Sequence, residues 1–177
     1  MAIRKTLKEG FTLVELMIVV AIVGVLSVIA VVAYGKLRLN SKVTEAQNNI
    51  GAIRVAQEDY KVDHPLYANL GVGLCPNSAS GTTQVKWAWD PSCSGGTKTW
   101  RELPAHIEGP VQFGYATVAL PASMPATFVN FGSANVALPW YVIMASADLN
   151  NDGAGGLKTE LVGSSFEKTI YARQEGE

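Results

Sequence analysis

Residues 10–34 read GFTLVELMIVVAIVGVLSVIAVVAY, and this stretch decides the fold. Across residues 16–34 it carries no charged side chain. As a helix rising about 1.5 Å per residue, that run is about 28 Å long, close to the roughly 30 Å hydrocarbon core of a bilayer. A helix that is apolar on every side has to be buried, in lipid or in the middle of a bundle. On the N-terminal side lies a short polar segment, residues 1–10, with Arg4, Lys5 and Lys8. An ordinary secretory signal has a shorter apolar region followed by a small-residue cleavage site. Here the run is long and passes straight into LRLNSKVTEAQNNIGAIRVAQEDY, which still has a helical pattern. The stretch therefore predicts a transmembrane helix.

Beyond Tyr34 the pattern changes. Leu39, Val43, Ala46, Ile50, Ile53 and Tyr60 recur at spacings of three, four and seven, with Ser41, Glu45, Asn48 and Glu58 between them. That is one apolar stripe on a helix, and its simplest use is to face a core. Asp63-His64-Pro65 ends the helix, because proline disfavours helix in the residue before it and cannot continue one. The spacing predicts a single helix over residues 12–62, about 75 Å long.

Glu15 is the unexpected residue. On insertion scales an acidic side chain at the centre of a membrane helix costs about 2.5–3.5 kcal/mol, and less near an end. A plain membrane anchor explains the length of the run but not this carboxylate. A cut after Gly10 would give Phe11 a free amine, positive near neutral pH, about one turn from Glu15. Pairing the two would offset the desolvation of both. The pair forms within one chain or between stacked neighbours. In the second case Glu15 sets the register of an assembly.

Gly10-Phe11-Thr12-Leu13-Val14-Glu15, after a basic leader and before LMIVVAIVGVLSVIAVVA, resembles the type IV prepilin signature, which type II secretion pseudopilins share. The match is dense over residues 8–34 and weak beyond them. The resemblance implies that a prepilin peptidase cuts between Gly10 and Phe11. It implies N-methylation of Phe11, and pairing of Glu15 with a neighbouring subunit's N-terminus. It further implies a cleaved leader at 1–10, a transmembrane and assembly helix at 11–35, and an amphipathic helix with a globular pilin head at 36–177. The implied partners are identical or related pilin subunits, inner-membrane lipid and the pilus assembly machinery. The implied location is the inner membrane, single-pass, then an extracellular pilus or a periplasmic pseudopilus. Basic residues flank both ends of the apolar run, with Lys36, Arg38 and Lys42 on the far side, so counting them does not set the topology. The leader is placed in the cytoplasm because the cleavage motif resembles one read there. One departure stands out: type IVa pilins commonly carry a proline late in the apolar helix, where this chain has Val31-Val32-Ala33-Tyr34. Without it the helix kinks less, which points away from a typical major pilin and toward a minor pilin or pseudopilin.

Residues 65–110 read as irregular, rich in Gly, Pro, Ser and Thr, with Cys75 and Cys93 inside. Two cysteines in an exported domain predict a disulfide, with free thiols or a metal site as alternatives. Metal lacks support there, since no Cys-x-x-Cys is present and His64 and His106 are isolated. Residues 111–120, 127–131, 140–147 and 166–173 are rich in β-branched and aromatic side chains and predict strands. Strands following a long helix imply an α+β fold: half of the helix spans the membrane, and half packs on a C-terminal antiparallel sheet. Before the last strand, Asp148, Asn150 and Asp152 precede Gly153 with the spacing of the first half of an EF-hand loop. Thr159 stands where the bidentate glutamate should be, and Glu160 follows one residue late. Calcium held by Asp148, Asn150 and Asp152 and a simple Asn/Asp/Gly turn are both open readings.

The net charge of -1 and pI of about 6.1 give no electrostatic footprint for nucleic acid, and the fourteen basic residues are spread along the chain. No Gly-x-Ser-x-Gly, His-Glu-x-x-His or phosphate-binding glycine loop is present. The chain therefore reads as a filament subunit and not an enzyme. A type IV pilus subunit serving adhesion, motility or DNA uptake is the first reading and a type II secretion pseudopilin the second. A membrane-tethered enzyme or receptor is the third.

Overall fold

The computed structural model describes residues 10–76, 85–120, 138–149 and 158–173. The first element is a 51-residue helix, α1 (Leu13–Asp63), within a residue or so of the expected bounds at both ends. The chain divides into two compact units, Met1–Asn40 and Ser41–Glu177.

In the first unit, every side chain from Phe11 to Arg38 is exposed. The most apolar window of α1 has a mean hydropathy of 3.1 and none of it is buried. The helix closes its own backbone hydrogen bonds, as a span in lipid requires. Ser27, a polar residue inside the run, is satisfied locally: its hydroxyl donates to the Val23 carbonyl at 2.7 Å. By length and composition α1 is able to cross a membrane.

In the second unit, residues 41–63 of α1 pack on a five-stranded antiparallel sheet. Its strands are β1 (Gly71–Cys75), β2 (Gly114–Ala119), β3 (Tyr141–Ala147), β4 (Thr159–Ser164) and β5 (Tyr171–Arg173), side by side in chain order. The fold is thus α+β, as expected. The predicted stripe is the packed face: Ala46, Ile50 and Ile53 are buried, and Val43 and Tyr60 are half-buried. Val55 and Val62, off that stripe, remain exposed. Register explains which strand residues meet the helix. Thr117 pairs with Ile143 and Ile143 with Gly163, while Tyr115 pairs with Ala145 and Ala145 with Leu161. Side chains alternate between faces, so these residues share the face toward α1. The other face gathers Val118, Trp140 and Val142, with Met144, Val162 and Phe166 against them. Gly163 sets the closeness of the two layers: a Cβ there would stand 2.7 Å from Ile50 Cγ2.

Two strands were not expected. β1 lies inside the segment read as irregular, and β4 follows the Asp/Asn/Gly-rich stretch in sequence. β1 reads GVGLC, and its two glycines removed the alternating signal. At Gly71, φ is +104° and a Cβ would stand 2.3 Å from the Gly95 carbonyl oxygen, so a side chain fails there on both counts. The last strand is shorter than predicted, three residues instead of residues 166–173. The strand expected at 127–131 lies outside the described residues.

Candidate functional site

The candidate site is the N-terminal end of α1. Thr12 is the residue before the helix, and its carbonyl accepts the first helical bond, from Leu16 N–H at 3.2 Å. The opening turn of a helix leaves backbone N–H groups without internal partners. Thr12 Oγ1 accepts one of these, from Glu15 N–H at 3.2 Å. In return Glu15 Oε2 accepts from Thr12 N–H at 3.3 Å and from the Thr12 hydroxyl at 2.9 Å. This reciprocal arrangement is a capping box, and the carboxylate also sits where the helix dipole favours negative charge. Glu15 Oε1 has no partner among the described residues. Gly10 and Phe11 precede the box in non-helical backbone, and Phe11 is exposed. Gly10 and Phe11 thus stand immediately before the turn that carries Glu15. The structure adds Thr12, to which the resemblance assigns no role. Its signal was in the sequence all the same, as a threonine three residues before a glutamate at the start of an apolar run.

The head contains the predicted Cys75–Cys93 disulfide, and no cysteine among the described residues is free. Its segment folds back on β1. Gly73 N–H donates to the Gly95 carbonyl at 2.8 Å, and Thr97 N–H donates to Leu70 at 3.1 Å. Trp100, which is buried, meets Trp89 edge-on at 5.0 Å between ring centres, and Trp89 in turn meets Tyr115. Two of the three tryptophans of this region thus pack inward through each other.

Two helix side chains that sequence reasoning passed over hold the layers together. Gln57 is fully buried and fully bonded. Its Nε2 donates to the Ala68 carbonyl at 2.8 Å and to Thr117 Oγ1 at 2.9 Å, and its Oε1 accepts from Ala68 N–H at 2.9 Å. Arg54 donates to the carbonyls of Glu167 at 3.0 Å and Lys168 at 2.6 Å, clamping the turn before β5. Glu45 accepts from Gln112 N–H and pairs with Lys86.

Of the three residues in the calcium reading, Asp148 follows β3 and is 1% exposed, while Asn150 and Asp152 lie outside the described residues. Thr159 and Glu160 belong to β4, where they pair with Ala147 and Ser146. Among the described residues, no group of three His, Cys, Asp or Glu side chains is placed to hold a metal.

A long apolar N-terminal helix, a glutamate in its first turn and an antiparallel sheet on its second half define an α+β, pilin-like protein. Residues 6–31 match the prokaryotic N-terminal methylation motif. The chain is 35% identical over 94 residues to the type IV major pilin protein PilA of Myxococcus xanthus, covering 46% of this chain and 43% of that one. It is 40% identical over 80 residues to a probable minor fimbrial protein of Dichelobacter nodosus, covering 45% and 50%. It is 36% identical over 83 residues to the type IV major pilin protein PilE of Neisseria gonorrhoeae, covering 46% and 50%. The chain thus spans about half the length of the curated relatives it matches. No solved structure matches it. Motif and relatives together make about half of the chain similar to type IV pilins and fimbrial proteins. These relatives are named as pilins and fimbrial proteins.

Proposed function

We propose that the chain is a structural subunit of a type IV pilus, major or minor, held in the inner membrane before it joins a helical filament. The observation that carries this reading is Glu15, a carboxylate in the first turn of an exposed apolar helix, four residues from Phe11. In this reading the peptidase removes residues 1–10, on the cytoplasmic side, and the new Phe11 amine is methylated. Residues 11–35 anchor the chain in lipid and later line the filament centre. Residues 36–177 carry the head outward. An apolar helix moving from lipid to a bundle of like helices never exposes its surface to water, so assembly need not oppose the hydrophobic effect. Glu15 then accepts a subunit's amine, and an unpaired charge in that setting disfavours misplaced subunits. The relatives named as pilins favour a pilus over a secretion pseudopilus.

The test is Glu15→Gln in the full chain, expressed in cells lacking the wild-type copy. The variant is expected to be cut to a chain beginning at Phe11, by mass spectrometry, and to accumulate in the membrane. Its content in sheared filaments is expected to fall about tenfold or more, as for the loss of a charge-assisted contact. Filaments carrying the variant at normal levels would refute the role of Glu15.

A further inference from the structure

We propose that Thr12 is a positioning residue for assembly, holding the Glu15 carboxylate in its working orientation before the leader is removed. This rests on the pilus reading above and concerns the same site. The argument starts from which atoms the capping box uses. They are Thr12 N–H, Thr12 Oγ1, Glu15 N–H and Glu15 Oε2. None belongs to Gly10 or to the Phe11 nitrogen, so cutting the Gly10–Phe11 bond leaves all three hydrogen bonds in place. Before the cut, the Phe11 nitrogen is a neutral amide and offers Glu15 no charge. The carboxylate would then face lipid alone, at a cost, were it not for the two donors of Thr12.

Both Thr12 donors converge on Oε2. Oε1 is left without a partner among the described residues, so an incoming ammonium has an acceptor already fixed in place. Cleavage then adds only the amine, and no side chain has to reorganise. A preset acceptor loses less rotamer entropy on pairing than a mobile one. The hydroxyl is the part that matters, because it alone both accepts from Glu15 N–H and donates to the carboxylate.

The experiment separates this role from plain helix capping. Thr12→Ser keeps the hydroxyl. Thr12→Val keeps the shape and loses it. Thr12→Gly loses it but remains nearly as good an N-cap as threonine. Each full-length variant is expressed in cells lacking the wild-type chain, beside Glu15→Gln. The N-terminal mass, the membrane content and the sheared-filament content are measured. Thr12→Ser is expected to match wild type in all three. Thr12→Val and Thr12→Gly are expected to be cut and membrane-held normally, yet to fall about tenfold in filaments, the scale of one charge-assisted hydrogen bond.

Wild-type filament content for Thr12→Gly with a drop for Thr12→Val would make helix capping the whole explanation and overturn the proposal. So would wild-type content for both, with Glu15→Gln alone defective, which leaves the pilus reading standing. A Thr12 variant left uncut assigns the residue to peptidase recognition and likewise overturns it. Normal filaments from Glu15→Gln would remove the pilus reading itself.

Discussion

Gln57 shows what a single side chain decides in the head. It sits at the centre of the α1 face, fully buried, with three hydrogen bonds to the chain after the helix and to β2. Buried polar groups are costly only when partners are missing, and here none is. Gln57→Ala would strand Ala68 N–H and Thr117 Oγ1 and leave a cavity as well. Stability of a 41–177 fragment should fall by about 2–4 kcal/mol in denaturant titrations. No loss would mean that water replaces the amide. Two tyrosines make a second prediction, in pH. Burial raises Tyr115 and Tyr141 well above the usual tyrosine value of 10.0. For Tyr115, the Asn49 amide donating to its oxygen at 2.9 Å only partly counters that. A folded value above the unfolded one means the stabilisation is complete below pH 10 and fades as pH climbs past it. The head should therefore lose stability above pH 10, by up to about 1.4 kcal/mol per pH unit for Tyr115. Thermal unfolding across that range should show phenolate absorbance from both rings arriving with unfolding, and Tyr115→Phe should flatten the decline. Both rings ionising near 10 in the folded head would contradict this.

At the level of elements, the Cys75–Cys93 bridge is the tie between β1 and the segment that folds over it. With the two cysteines 18 positions apart in sequence, loop-closure entropy puts the bridge's contribution at about 3 kcal/mol. Replacing both with serine should lower the denaturation midpoint by that amount and leave the denaturant slope only slightly changed. An unaffected midpoint would mean that the Gly73–Gly95 and Leu70–Thr97 bonds hold the segment by themselves. The same elements show where sequence was readable. α1 announced itself through an uncharged run and then a stripe, and β2 and β3 through β-branched and aromatic residues. β1 was hidden because Gly71 and Gly73 serve a close backbone approach, which erases the side-chain pattern. β4, TELVGS, was hidden because Gly163 occupies its helix-facing side, where the Ile50 and Arg54 side chains of α1 leave no room for a side chain. At the candidate site, Glu15 stood out because charge and apolar length conflict there, whereas Gly10 and Phe11 entered only through the resemblance to the prepilin signature. Gln57 and Arg54 were not legible, since a polar residue on an amphipathic helix reads as solvated until its partners, distant in sequence, are known.

For the molecule as a whole, the described apolar side chains of the first unit are nearly all exposed, whereas the second unit buries a core that includes Ile50, Ile53, Phe113, Ile143 and Leu161. On the proposed reading, one chain therefore meets two solvents. Each Leu, Ile, Phe or Val near a bilayer centre favours insertion by about 0.3–0.6 kcal/mol, and residues 16–34 are made largely of these. Their sum exceeds the roughly 3 kcal/mol that Glu15 could cost even at the centre, and it lies near the end, already bonded to Thr12. Insertion should thus not depend on Glu15 having found an amine. Both wild type and Glu15→Gln are expected to resist extraction of membranes with alkaline carbonate. A fragment of residues 41–177 should be recovered in solution without detergent, with a melting temperature that detergent below its denaturing range does not move. Release of the intact chain by carbonate would show that the apolar run does not span lipid. Aggregation of the 41–177 fragment would show that the head needs the first unit to cover it. On the proposed pilus reading, survival of both results would place the driving force for assembly in the helix and the surface character in the head, because only the first unit would change solvent on leaving the membrane.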